Sequence, residues 1–296
     1  DTRTPGLVMI IGALANAALD PVLIFGLGPV PALGIRGAAA ATLIGRSITF
    51  VVAMYVLGVR EKLLVFHRPP IRAVLRSWKE ILYVGIPNAA SRMIIPLGAG
   101  VVTRILSEFG PETVAGYGVA TRVEFFSLAV VNALSSVVAP YVGQNLGAGK
   151  LERVRMGYRS AQWFSATVGA FFCILLLTLA GPVARIFSDA PEVTQVTTLY
   201  LRIVPVAYAF QGIYLITVPA LNVFRKPLVA AGLGAAEMFG LIIPLALAGS
   251  WLFGRFGVFA AVAVSYVVTG LLSRHLFLGT VTDRGDERGG GRAARR

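Results

Sequence analysis

Val142-Gly-Gln-Asn-Leu-Gly-Ala-Gly-Lys-Leu-Glu-Arg-Val-Arg155 is a short, Gly-rich, basic link between two apolar runs, about 113–141 and 157–181. Runs of this kind match the roughly 20 residues that a helix needs to cross a hydrocarbon core about 30 Å thick. Working outward from the link, six more such runs fall at about 6–27, 36–58, 80–106, 194–218, 228–251 and 256–279. With 56% hydrophobic residues, only 14% charged ones and a mean hydropathy of +0.76, the chain carries more apolar surface than a soluble core can hide. An all-α polytopic membrane protein of about eight transmembrane helices is expected. Pro21, Pro87, Pro96, Pro205, Pro219 and Pro244 in or beside the runs predict kinks, tolerated where neighbouring helices satisfy the freed backbone groups. The link itself is no nucleotide cradle. That motif needs Ser or Thr after its Gly-Lys and a Gly five residues before its second Gly, whereas Leu151 follows Lys150 and Gln144 stands in the Gly position.

A net charge of +13 can signal nucleic acid, but its distribution excludes that partner. The cations fill alternate links: Arg60, Lys62, Arg68, Arg72, Arg76 and Lys79; then Lys150, Arg153, Arg155 and Arg159; then Arg225 and Lys226. Arg3 precedes the first run, and Arg284, Arg288, Arg292, Arg295 and Arg296 fill the tail. The intervening links near 28–33, 110–112, 188–192 and 254–255 are poor in Lys and Arg. Positive residues stay on the cytoplasmic side, so both termini are expected there, in a cell inner (plasma) membrane, with the lipid bilayer as partner. The single Cys173 excludes an intramolecular disulfide and reads as packing. His67 and His275 are too isolated to hold a metal, and no cofactor is expected.

An internal repeat organises the chain. Gly34-Ile-Arg-Gly-Ala-Ala-Ala-Ala-Thr42 matches Gly257-Val-Phe-Ala-Ala-Val-Ala-Val-Ser265 without gaps, 223 residues on, and the same shift takes Pro21 to Pro244, Gly26 to Gly249 and Arg3 to Lys226. Small residues at small-xxx-small spacing also recur for packing alone. Two related halves of like orientation place about 165 residues, or four helices, ahead of Asp1 in the same polypeptide. The expected organisation is thus the last two helices of an N-terminal lobe at 1–58, a basic cytoplasmic linker at 59–79, a six-helix C-terminal lobe at 80–279, and a disordered basic tail at 280–296.

Ala115-Gly-Tyr-Gly-Val-Ala-Thr-Arg-Val-Glu-Phe-Phe126 with Val138-Ala-Pro-Tyr-Val-Gly-Gln-Asn-Leu-Gly-Ala-Gly-Lys150 resembles the second-half signature of the multidrug and toxic compound extrusion (MATE) family. Asn16-Ala-Ala-Leu-Asp-Pro-Val-Leu-Ile-Phe-Gly26 and Leu33-Gly-Ile-Arg-Gly-Ala-Ala39 resemble its fifth helix and the start of its sixth. The likeness covers about 5–279. It implies a two-lobe, twelve-helix bundle around a cleft that opens alternately to either side. It also implies secondary antiport, in which H+ or Na+ enters while an amphipathic, often cationic small-molecule substrate leaves.

Acids inside the spans carry the mechanistic reading, because a charge in hydrocarbon is costly and faces a cavity or a partner. Asn16 and Asp20 stand four apart on one helix face, where an amide and a carboxylate converge on one ion or proton. The resemblance implies that Asn16, Asp20 and Thr42 belong to a cation or proton site in the first lobe. The alternative is an Asp-Pro pair whose carboxylate satisfies backbone donors freed near Pro21. Arg122 and Glu124 are two apart and face different ways, either on a cleft wall or within packing ion pairs; Arg92, Arg202 and Glu237 admit the same two readings. Some members of the family carry acids in the seventh and tenth helices for sodium. This sequence has Ile94, Ile95 and Pro96, then Phe210, Gln211 and Gly212, which points to proton coupling through Asp20. Tyr117, Tyr208, Gln211 and Tyr214 are cleft-lining candidates for flat aromatic substrates, or else packing residues.

Three other functions remain open at this level. A lipid-linked oligosaccharide flippase of the same superfamily predicts a cationic cavity, for which Arg92 and Arg122 are candidates. An intramembrane prenyltransferase needs clustered Asp residues to hold magnesium pyrophosphate, and Asp20 is alone in its span. An inactive membrane scaffold is the reading for a polypeptide that begins at Asp1. No enzymatic activity is expected.

Overall fold

The computed structural model describes residues 3–26, 31–62 and 70–293, with side chains for all of these except 3, 5, 83–92, 95 and 283–293. His67 and the side chain of Arg92 therefore lie outside the described residues. Among the described residues every regular element is helical. In chain order these are α1 (Arg3–Phe25), α2 (Ile35–Tyr55), α3 (Ile71–Ser107), α4 (Pro111–Gly147), α5 (Leu151–Phe187), α6 (Pro191–Ile203), α7 (Tyr208–Val223), α8 (Pro227–Ala235) and α9 (Ile243–Ala293). They fall into two compact units, Asp1–Lys79 and Glu80–Arg296.

The first unit is an antiparallel pair, α1 against α2, extended by a π-helical turn at Val56–Arg60. Small residues set the distance between them. A methyl group on Gly45 would lie 3.2 Å from both Asn16 Cβ and the Gly12 carbonyl, and one on Gly37 would strike the Leu23 carbonyl. The hydrogen bonds Leu33 N–H to Leu23 O and Gly34 N–H to Ile24 O, each 3.1 Å, tie the connection back onto α1.

The second unit is a bundle around one heavily buried span, Pro191–Val223, in which α6 runs on into α7 through a 3₁₀ turn at Val204–Ala207, where Pro205 supplies no amide hydrogen. Of its most apolar stretch 56% is buried, against 17% for α5, so α6 and α7 form the hub and α5 faces outward. α4 turns a single stripe inward: Thr113, Gly116, Ala120, Val123, Ser127, Val131, Ser135, Val138 and Val142. That three-to-four-residue spacing is one helical face. The outer surface is apolar, with Trp251 90% and Ile186 79% exposed, as a hydrocarbon solvent requires.

The link 142–155 is a tight interhelical turn. Lys150 N–H bonds the Asn145 carbonyl at 2.8 Å and Gly149 N–H bonds the Leu146 carbonyl at 3.1 Å, the paired bonds of a Schellman C-cap. Gly149, at φ +73°, supplies the left-handed residue that the cap needs. The same pair of bonds closes α7, Lys226 to Leu221 and Arg225 to Asn222, with Arg225 itself at φ +58°. The amides of the Gly-Lys run are thus consumed by the preceding helix.

The eight expected spans find counterparts. Among the described residues six helical segments are apolar and long enough to cross a membrane, and α3 occupies the place of the third expected run. The last segment, Pro227–Thr282, is bent at Gly254 (φ 59°, ψ −139°), which divides it into the seventh and eighth. Gly34 has nearly the same dihedrals (φ 53°, ψ −128°) at the start of α2. α9 continues as backbone helix to Ala293, into the tail expected to be disordered. No proline between Gly254 and Ala293 interrupts its hydrogen bonds.

Candidate functional site

Two membrane-embedded carboxylate sites emerge, one in each unit. In the first, one turn of α1 stacks Asn16 above Asp20, and Asn16 Nδ2 donates to Asp20 Oδ1 at 3.5 Å, a long bond in a half-buried setting. Pro21 follows directly, and α1 stays helical through it. Thr42 is exposed on α2, and its hydroxyl donates to the Ala38 carbonyl of its own helix at 2.9 Å. The amide and carboxylate are brought together; the threonine hydroxyl is already engaged elsewhere.

In the second unit Glu124 is the fourteenth residue of α4, about 20 Å along the helix axis from Pro111 at 1.5 Å per residue. It accepts two phenolic hydrogens: Tyr266 of α9 donates to Oε1 at 2.8 Å and Tyr200 of α6 donates to Oε2. Around it the rings interlock. Tyr117 lies 5.8 Å from Tyr200 and 6.4 Å from Phe259, and Tyr200 meets Phe259 edge-on at 5.1 Å. Among the described residues, Glu124 therefore belongs to a carboxylate–tyrosine network and not to an ion pair with arginine. Arg122, two residues earlier, is exposed, as the opposite-face geometry requires.

Glu237 is only 6% exposed and sits in a π-helical segment, Ala236–Ile242, between α8 and α9. Such widened turns recur at functional sites because they re-aim a side chain. Its polar neighbours are Gln211 and Tyr214 of α7, and Glu124 is near enough to act on it electrostatically. Tyr266 feels both carboxylates. Of the five cleft-lining candidates, Glu124 is one of this pair of acids, Tyr117, Gln211 and Tyr214 surround the pair, and Arg122 does not. The arrangement leaves buried oxygens unpaired: Gln211 Oε1, Tyr208 Oη and Thr269 Oγ1 meet no hydrogen-bond partner.

Sequence reasoning left Tyr200, Tyr266 and Thr269 out. Their signal was weak, since an aromatic or hydroxyl residue at helical spacing reads equally well as core. Glu237 had the same signal as Asp20, a lone acid in an apolar run. The other cation expected near a cavity, Arg202, is exposed and lines a shallow pocket of about 290 Å³ with Arg255, Gln195 and Thr198. Neither acid contributes to that pocket.

Comparison with known proteins gives these sites a context. The family model MatE matches residues 87–248. A protein of Shewanella oneidensis named FAD transporter is 33% identical across 93% of this chain and 61% of its own length. A Thermotoga maritima protein named probable multidrug resistance protein NorM is 31% identical over 72% of the chain and 46% of its own length. The crystal structure of a mutant of the Vibrio cholerae MATE transporter VcmN superposes with a TM-score of 0.80 at 27% identity, covering 96% of this chain and 63% of that one. The chain thus spans about three fifths or less of the proteins it matches here.

Proposed function

This chain belongs to the MatE family of membrane transporters, and from that membership we propose that it forms part of a secondary exporter, which moves small organic compounds by alternating access and draws on an ion gradient. The observation that carries the reading is the likeness along nearly the whole chain, 93% of it, to a protein named as a transporter. A multi-pass membrane protein with acids inside its spans suits that role. The orientation proposed is in the inner (plasma) membrane with both termini cytoplasmic, and no cofactor takes part.

The coupling site proposed for the first unit is Asp20 with Asn16. An ion or proton bound there neutralises the carboxylate, and its release leaves a charge that must be solvated. That difference can bias the lobe between two shapes, because a ligand shifts an equilibrium only by its differential affinity. H+ is the coupling ion favoured, with Na+ as the alternative. Thr42 donates its hydroxyl hydrogen to Ala38 and keeps the oxygen lone pairs with which it would join the site.

The substrate proposed is an amphipathic cation. Acidic and tyrosine-rich interior surfaces in the second unit support this, since carboxylates and aromatic faces attract cations. A second reading, export of a flavin dinucleotide, rests on the name of the Shewanella relative. The full-length protein in vesicles, loaded in parallel with a cationic dye and with FAD, separates them under an imposed pH gradient. Dye efflux alone supports the first reading, FAD efflux alone the second, and movement of neither overturns the exporter proposal.

A further inference from the structure

We infer that Glu124 and Glu237 form one proton-binding site inside the second unit, separate from Asp20 and built by Tyr200, Tyr266, Gln211 and Tyr214. The inference rests on the exporter reading for its role in transport; the site itself rests on the two tyrosine bonds to Glu124, the burial of Glu237 in its π-helical segment and the orphaned oxygens of Gln211 and Tyr208. Two carboxylates from different elements, α4 and the π-helical segment before α9, act on each other in a membrane-embedded interior. Among the described residues, every group facing them is neutral or acidic. Facing Glu124 are Tyr117 from α4, Tyr200 from α6, Tyr208 from α7 and Tyr266 from α9. Facing Glu237 are Gln211 and Tyr214 from α7, and Tyr266 from α9. Two like charges in a low-dielectric site cannot both persist without a counter-charge, and a shared proton is the smallest one available. Among the described residues no third acidic, His or Cys side chain joins the pair into a metal-holding group.

The unpaired oxygens show where the proton goes. Gln211 is 9% exposed, it faces Glu237, and its Oε1 has no donor. With Glu237 ionised, the Gln211 amide hydrogens point to the carboxylate and Oε1 is orphaned. When a proton from water joins a Glu237 carboxylate oxygen, the new O–H becomes a donor, and the amide turned end for end accepts it through Oε1. On release the proton returns to water and the amide turns back. Tyr208, fully buried with its hydroxyl unpaired, stands beside Glu124 in the same way and can donate to it when the proton sits on Glu237. Tyr266 bridges the two acids, donating to Glu124 and facing Glu237. The π-helical widening explains itself on this account, since it turns Glu237 into the bundle where a regular helix would rotate it elsewhere.

Infrared difference spectroscopy of the full-length protein in lipid, recorded across a pH step, reads the site without any transport. The expected result is a carboxyl C=O band that grows as pH falls, is lost in Glu237→Gln, is shifted or lost in Glu124→Gln, and survives in Asp20→Asn. Tyr266→Phe and Gln211→Leu keep both acids, and each shifts the band by removing a hydrogen bond, so the site stays testable where a Glu variant fails to insert. Absence of a titrating band in the wild type, or a band lost only in Asp20→Asn, overturns the inference. So does displacement of the proton by Na+ at constant pH. In vesicles that transport, the Glu124→Gln, Glu237→Gln double variant lowers pH-driven efflux by roughly tenfold or more, within the span of ordinary site-to-site coupling. Vesicles that transport nothing while the band titrates contradict the exporter reading and leave the site standing.

Discussion

Asp20 and Glu124 are both acids within apolar helices, yet the chain treats them differently. Asp20 holds one long bond from an amide on its own helix and remains half-buried. Glu124 takes two phenolic hydrogens from two other helices and sits among interlocked rings. The first arrangement costs little to break and can exchange an ion readily. The second is woven into packing, so a change of state at the acid is felt by three helices at once. A carboxylate's role in a membrane is thus set by who donates to it and from which helix.

Substitutions that empty each site break this comparison most sharply. Glu124→Ala leaves the Tyr200 and Tyr266 hydroxyls without an acceptor, and a stranded buried donor costs about 1–3 kcal/mol each. A large drop in thermal midpoint is expected, whereas Asp20→Ala changes it by no more than the roughly 0.5 kcal/mol of an ordinary substitution away from the core. Equal drops for the two would erase the distinction. Overpacking comes next. Gly270→Leu drives a side chain into the Phe210 carbonyl and should destabilise by about 1–3 kcal/mol, while Gly118→Leu meets open space and should be close to neutral. Unfolding in detergent monitored by tryptophan fluorescence ranks the pair.

Smaller effects sharpen the first site. Thr42→Val removes only a bond to Ala38, so pH-driven efflux should fall by roughly threefold at most, the worth of a weak hydrogen bond. A loss as deep as that of Asp20→Asn would mean that the hydroxyl oxygen joins the ion. Least of all, Glu152→Ala removes the exposed Arg155–Glu152 pair, 3.1 Å apart on one face of α5, and should shift stability by a few tenths of a kcal/mol.

Hydrophobic run length made the helices legible in the sequence, because a bilayer imposes a minimum span whatever the side chains are. Asn16 and Asp20 could be paired because both lie on one helix, and i,i+4 spacing fixes their neighbourhood locally. Glu124 and Glu237 could not, since Tyr200 and Tyr266 stand 76 and 142 positions from Glu124, and Gln211 faces Glu237 from another helix. Spacing within one helix says nothing about which tyrosine of another helix will donate. The π-helical turn at Ala236–Ile242 and the bend at Gly254 were likewise hidden, because both respond to packing by neighbouring helices.

Gradient-driven efflux of a cationic dye by the full-length protein and its Asp20→Asn variant, matched for membrane insertion, is the most direct test that an embedded acid couples transport to an ion gradient. The account predicts efflux in the wild type and its loss in the variant with insertion intact. Unaltered efflux in Asp20→Asn would contradict it.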